Sequence, residues 1–250
     1  MRCRVKVSAN TGGKTMRVVI LAGGQGTRLL PYTTVIPKPL MPVGDRPILE
    51  IIIKQLKHHG FTRFTMAVGY LAELVEAYFR DGKKYGVKID YSREDKPLGT
   101  IGALGLIDGL DKTFLVMNGD VLTNLKYDEL VTFHKQNQAV ATIATYNKEV
   151  KIDLGVLEMD EGFRLRQYLE KPTLRYNVSM GIYVFEPEIL RLIEPNGYLD
   201  FPDLVVSLIK AGKKVIAFPF DGYWLDIGRH EDYELAQGDF AKVTEELNLE

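Results

Sequence analysis

From Arg17 onward, short unbroken apolar runs alternate with stretches whose apolar positions recur every three to four residues. An unbroken run suits a strand covered on both faces, and the three-to-four period suits a helix with one buried face. The pattern predicts strands at 17–22, 63–68, 87–92, 113–117, 139–146, 178–185 and 214–218. It predicts helices at 48–59, 71–79, 100–110, 127–136, 201–211 and 229–243, the first ending at Gly60, a natural helix terminator. Residues 153–159 and 163–169 read as a hairpin around Asp160-Glu161-Gly162. Strands alternating with helices predict an α/β fold, a doubly wound and mostly parallel sheet that the hairpin makes mixed. No linker, low-complexity tract or fixed-period repeat interrupts residues 16–250, which read as a single domain.

Composition narrows the classes. Thirty-two Lys and Arg against 33 Asp and Glu leave a net charge of −1, which is no footprint for bulk nucleic-acid or anionic-membrane binding. Hydrophobic content of 46% with 26% charged residues fits a soluble globular chain and excludes disorder. The apolar runs are too short for a membrane-spanning helix, and Cys3, the one cysteine, excludes an intrachain disulfide and a Cys-rich zinc site. Residues 1–15 are basic, lack the apolar core of a signal peptide, and read as a disordered leader or as sequence upstream of a true start at Met16. Within them, Gly13-Lys14-Thr15 resembles the tail of a P-loop, but the loop's first glycine would fall at Ser8 and a strand follows instead of a helix. A cytoplasmic location is expected, and a homo-oligomer stays open.

The candidate chemistry lies in the loops. Gly23, Gly24 and Gly26 follow the first strand directly, so backbone N–H groups there can approach phosphate oxygens with no Cβ in the way. The spacing is not that of a dinucleotide fingerprint, because the third glycine would fall at Leu29. Arg28 adds a fork-shaped phosphate donor, and Lys38 sits between Pro37 and Pro39, which stiffen it. Alone, Lys38 would read as a solvated surface lysine. Asp120 follows the strand 113–117 through Asn118-Gly119, placing a carboxylate at the carboxyl end of a buried strand, where α/β sheets build sites. Asp226 sits in an aromatic-flanked turn, where a carboxylate is costly unless paired or on a metal. Each aspartate alone could be a turn or N-cap residue; together, beside a phosphate loop, they suit Mg²⁺, which takes one or two carboxylates plus phosphate oxygens. His58, His59, His134 and His230 are not spaced as metal ligands and read as helix-surface or helix-end residues.

The string Gly23-Gly24-Gln25-Gly26-Thr27-Arg28-Leu29-Leu30-Pro31-Tyr32-Thr33, followed by Pro37-Lys38-Pro39-Leu40, resembles the signature of the sugar-1-phosphate nucleotidyltransferases. The resemblance continues in order through Lys96-Pro97-Leu98-Gly99-Thr100, Asn118-Gly119-Asp120, Glu170-Lys171-Pro172 and Trp224-Leu225-Asp226-Ile227-Gly228, over residues 16–240. It is nearest the mannose-1-phosphate guanylyltransferase and glucose-1-phosphate nucleotidyltransferase branch, and the left-handed β-helix tail that many of that branch carry is not expected here.

The resemblance implies a Rossmann-like nucleotidyltransferase fold, Mg²⁺ as cofactor, and condensation of a nucleoside triphosphate with a hexose 1-phosphate to an NDP-sugar and pyrophosphate. It implies that Arg28 binds the β,γ-phosphates, that Lys38 neutralises charge near the α-phosphate, that Asp120 and Asp226 hold the metal, and that Lys171 orients the nucleophile. Leu21, Ala22, Gly23, Gly24, Gly26, Thr27, Glu94, Gly99 and Thr100 would bind the nucleotide, and Gly155, Glu170, Lys171 and Ser179 the sugar phosphate. Leu154 stands where some relatives carry tyrosine, and Glu94 where thymidylyl and uridylyl relatives often carry glutamine. A carboxylate can accept from guanine's adjacent N1–H and N2 amine, so Glu94 favours GTP, and the resemblance makes mannose 1-phosphate the expected sugar. The alternatives are UTP, dTTP or CTP with glucose 1-phosphate or another sugar 1-phosphate, and a non-catalytic regulatory subunit on the same fold, against which the retained charged set argues.

Overall fold

Val18, Val19 and Ile20 are fully buried in strand β1 (Arg17–Ala22) of the computed structural model, which describes residues 16–244 and Leu247. The leader reading for residues 1–15, Cys3 included, lies outside the described residues. After β1 come the short strands β2 (Pro42–Val43) and β3 (Arg46–Pro47), helix α1 (Ile48–His58), β4 (Arg63–Val68), α2 (Ala72–Phe79) and β5 (Lys88–Arg93). The single turn α3 (Gly99–Gly102), β6 (Phe114–Asn118), β7 (Val121–Thr123), α4 (Tyr127–Asn137), β8 (Ala141–Lys151), β9 (Val156–Met159) and β10 (Leu165–Leu169) follow. The chain continues through β11 (Thr173–Phe185), α5 (Phe201–Lys210), β12 (Val215–Phe220), β13 (Trp224–Asp226) and α6 (His230–Val243).

A seven-stranded sheet runs in the order β12-β8-β11-β6-β1-β4-β5. Only β11 runs against its neighbours; the other pairings are parallel, as the strand–helix alternation predicts. Successive side chains of a strand face opposite sides. Val18 and Ile20 accordingly join the core under α1, α2 and α4, while Val19 joins the core under α5 with Phe114, Val116, Leu204 and Leu208. No described helix is long and apolar enough to cross a membrane.

The structure departs from the sequence expectation in several places, the short strands β2, β3 and β7 among them. The helix expected at 100–110 is one α-turn followed by a 3-10 turn at Ala103–Leu106, because Gly102 and Gly105 pack flat against residues 193–197. Strands β8 and β11 run on to Lys151 and back to Thr173 as a ribbon standing out of the sheet. Both of its faces meet solvent, which erases the polar–apolar alternation that marks a half-buried strand. Asp226 lies in a short strand, not a turn, and pairs across to Val121. His134 is at a helix end but is 1% exposed, hydrogen bonded to Thr142 and Glu186, and its burial lowers its pKa.

Candidate active site

The carboxyl ends of β1, β4 and β6 open into one cavity of about 840 Å³. Its walls are residues 21–28 after β1, Gly69 and Tyr70 after β4, residues 94–100 after β5, and residues 118–120 after β6, with Lys38 and Pro39. Backbone bonds lash these loops together: Tyr70 N–H donates to Gly23 O (3.2 Å), Gly119 N–H to Leu21 O (2.9 Å) and Glu94 N–H to Val68 O (2.9 Å). Twelve sequence-predicted residues line this space: Leu21, Ala22, Gly23, Gly24, Gly26, Thr27, Arg28, Lys38, Glu94, Gly99, Thr100 and Asp120.

The three loop glycines serve different ends. A Cβ on Gly23 would lie 2.6 Å from Glu94 Oε1, so that position lets the β5 loop close in. Gly26 has φ +63° and presses on Thr33 and Lys38, while Thr33 Oγ1 donates to Gly26 O (2.9 Å), folding residues 27–38 back over the loop. Nothing stands within 4 Å of where a Gly24 Cβ would be, which leaves bare backbone facing the cavity.

That fold-back delivers Lys38 to Asp120. Lys38 is 9% exposed and forms an ion pair with Asp120 Oδ2. The other oxygen, Asp120 Oδ1, is buried without a hydrogen-bond partner. The β7–β13 pairing sets Asp226 opposite Val121, and Ile227 N–H donates to Asp120 O (3.0 Å), so the two aspartates come together from distant parts of the chain. Asp226 is not among the residues that line the cavity and is exposed, yet the protein packed around its carboxylate, and then Asp120, raise its pKa; Lys38 and Arg28 partly offset this, which places it beside the Lys38–Asp120 pair. Arg28 lies beside Gly228, where a Cβ would meet the guanidinium at ordinary van der Waals distance, 3.4 Å. Two carboxylates, one with an unpartnered buried oxygen, fit a divalent ion completed by phosphate oxygens and water. No group of three or more His, Cys, Asp or Glu among the described residues would hold a metal unaided.

The residues expected on the sugar side are not in the cavity wall. Gly155 and Glu170 meet through Tyr168: its ring covers Gly155, where a Cβ would collide with the hydroxyl, and the hydroxyl donates to Glu170 Oε2 (2.8 Å). Lys171 follows Glu170, exposed and with φ +46°. Ser179 Oγ donates to the Tyr183 hydroxyl (3.2 Å) beside the bulge at Gly181. The pKa of Tyr183 is pushed up to about 12 by burial, with Asp120 and Asp226 adding to it.

Gly69 and Tyr70 were missed by sequence reasoning; their signal is their place after a buried parallel strand next to β1. Asn118, from the Asn118-Gly119-Asp120 motif, also lines the cavity, and its Oδ1 is buried and unpartnered.

A Rossmann-like sheet with a glycine-lined loop and paired carboxylates at its carboxyl ends is the architecture of a nucleotide-binding α/β protein. Residues 17–243 match the nucleotidyl transferase family, and the chain belongs to it. It is 37% identical over 238 residues to a UTP–glucose-1-phosphate uridylyltransferase of Synechocystis sp., covering 87% of this chain and 61% of that protein. It is 34% identical over 230 residues to a mannose-1-phosphate guanyltransferase of Yarrowia lipolytica, covering 87% of this chain and 62% of the relative. The chain thus spans about six tenths of the length of these curated relatives. Among solved structures, HddC from Yersinia pseudotuberculosis complexed with GMP-PN superposes with a TM-score of 0.69 at 27% identity, over 90% of this chain and 99% of that one. A Bacillus anthracis protein provisionally named a glucose-1-phosphate thymidylyltransferase, in complex with a sucrose, gives 0.73 at 25% identity, over 89% and 94%.

Proposed function

We propose that the chain, as a single domain over residues 16–250, condenses a nucleoside triphosphate with a hexose 1-phosphate to an NDP-hexose and pyrophosphate, with Mg²⁺ as cofactor. The observation that carries this reading is the set of Arg28, Lys38 and Asp120 in the wall of a glycine-lined cavity, with Asp226 close enough to feel all three charges. A sugar-phosphate oxygen attacks the α-phosphorus in line; the bond from that phosphorus to the bridging oxygen breaks, and pyrophosphate departs with the electron pair. No proton need move, so positioning and charge neutralisation suffice. Arg28 grips the β,γ-phosphates and Lys38 meets the charge that grows on the leaving group. Lys171 orients the sugar phosphate, Glu170 accepts from sugar hydroxyls, and Gly155 and Ser179 complete that side. Asp120 and Asp226 are the residues that would hold Mg²⁺, which when bound neutralises phosphate charge and polarises the phosphoryl oxygens.

Glu94 is the base reader in this account, with GTP and mannose 1-phosphate the favoured pair. Its Oε1 faces Gly23 while its Oε2 accepts the Leu98 N–H (3.0 Å). That engaged oxygen favours a second reading, because guanine's paired donors would have to share Oε2 with Leu98. In that reading UTP or dTTP, with a single N3–H, is used with glucose 1-phosphate. Pyrophosphate release over GTP, UTP, dTTP, CTP and ATP against mannose 1-phosphate and glucose 1-phosphate decides between them, repeated in Glu94→Gln. Base preference that moves with the substitution supports Glu94 as reader, an unmoved preference removes it, and release from no pair overturns the function.

A further inference from the structure

The cavity wall at residues 96–100 is held by the segment that leads into α5. Leu199 N–H donates to Leu98 O (2.9 Å), and Leu199 O accepts from both Ile101 N–H and Gly102 N–H (3.0 Å each). The two backbones touch so closely that a Cβ on Gly99, whose φ is +77°, would lie 2.6 Å from Leu199 O. Beside this contact, Asp200 Oδ1 accepts from Thr100 N–H (3.0 Å) and from Thr100 Oγ1 (3.1 Å). Tyr198 donates its hydroxyl to Asp200 Oδ2 (2.6 Å). These bonds hold the Asp200 carboxyl below its ordinary pKa, Tyr198 contributing most.

Asp200 occupies the N-cap position of α5, where aspartate ordinarily accepts from its own helix. Its side chain makes no such bond. Thr100 Oγ1 instead accepts the Phe201 N–H (3.0 Å), so the cap comes from across the cavity wall and Asp200 is spent on that wall in return. The bracket is anchored to the sheet, since the Phe201 ring stacks on Tyr183 at 3.9 Å. A purely helix-capping role does not explain why the Asp200 oxygens are bonded to Thr100 and Tyr198 and not to α5.

We propose that Asp200 is a positioning residue for nucleotide binding: acting through Thr100, and itself held by Tyr198, it fixes the Leu98–Gly102 wall against which the nucleotide packs. The proposal rests on the reading that this cavity takes the nucleotide. A wall already ordered asks no ordering free energy of the ligand, whereas a loosened wall must be ordered on binding. Loss of Asp200 therefore weakens nucleotide binding selectively, leaving the chemical step and the sugar phosphate largely untouched.

The test uses the whole chain as wild type, Asp200→Ala and Asp200→Asn, with Tm recorded to confirm folding. In Asp200→Ala, amide hydrogen exchange over residues 99–102 should quicken, and KM for the nucleoside triphosphate should rise about ten-fold. kcat and KM for the sugar 1-phosphate should stay within about two-fold, since no group that meets them is removed. Asp200→Asn keeps an Oδ1 acceptor and should recover most of the loss. Unchanged exchange, a nucleotide KM that does not move, or equal rises for both substrates overturns the proposal. If the wild type releases no pyrophosphate from any pair, the function proposed above fails. Exchange and calorimetric Kd values for MgGTP and MgUTP then decide the bracket alone, and failure of both nucleotides to bind the wild type overturns both.

Discussion

Replacing Lys38 by methionine removes one positive charge at nearly constant volume from the point where Asp120 and Asp226 already confront each other. Lys38 is 9% exposed, and its ammonium is the counter-ion of Asp120 in the free protein. Removing one preorganised electrostatic donor of this kind costs about 10²–10³ in kcat, or about 2.7–4 kcal/mol. The stability cost is smaller. The pair is partly screened, with side chains 11% and 22% exposed, so it falls between a surface pair and a fully buried one, at about 1–3 kcal/mol. For a chain of this size that is about 2–4 °C of Tm per kcal/mol. Lys38 also holds down the Asp226 pKa, so the variant should raise it further. The assay is kcat for pyrophosphate release at saturating substrates, beside calorimetric Tm for wild type, Lys38→Met and Lys38→Arg. A folded Lys38→Met protein turning over within about threefold of wild type would falsify the assigned role.

Chelation should abolish turnover and Mg²⁺ restore it, and Asp120→Asn and Asp226→Asn should each raise the Mg²⁺ concentration for half-maximal rate; titrations that overlay the wild type remove the metal assignment. The raised pKa of Asp226 means that the folded protein holds this proton more tightly than the unfolded chain does. That stabilisation is fully present below the unfolded value, near 3.8, and is lost as pH rises through the folded one. Asp226→Asn should thus raise Tm at pH 7 and match the wild type near pH 3, and a uniform shift at both pH values contradicts this. Gly155→Ala should push Tyr168 off Glu170 and raise KM for the sugar 1-phosphate about five- to ten-fold with the nucleotide KM unchanged, whereas an unmoved sugar KM detaches Tyr168 from that site.

What could be read from the sequence were the parts in which chemistry and chain order coincide. Gly23 to Arg28 follow β1 directly, and Asp120 follows β6 directly, so motif and position arrived together. What joins Asp120 to Asp226 is a pairing of two three-residue strands, β7 and β13, too short to carry a periodic signal. Gly69 and Tyr70 bear no motif and enter the cavity only because β4 lies beside β1. The 100–110 stretch has apolar spacing suited to a helix, but its glycines are used for close backbone contact with residues 193–199, a tertiary demand that overrides local pattern. The Tyr168–Glu170 bond and the Asp200 bracket depend on side-chain directions, which spacing does not fix.

In the proposed reaction, sugar phosphate and triphosphate meet in one site and react directly, with no nucleotidyl-enzyme between. Exchange of radiolabelled pyrophosphate into the nucleoside triphosphate tests it. Exchange is expected only when the matching sugar 1-phosphate is present, and is expected to be lost in Lys38→Met. Exchange without any sugar phosphate would reveal a covalent intermediate, and no exchange with any nucleotide and sugar 1-phosphate would contradict the proposed reaction itself.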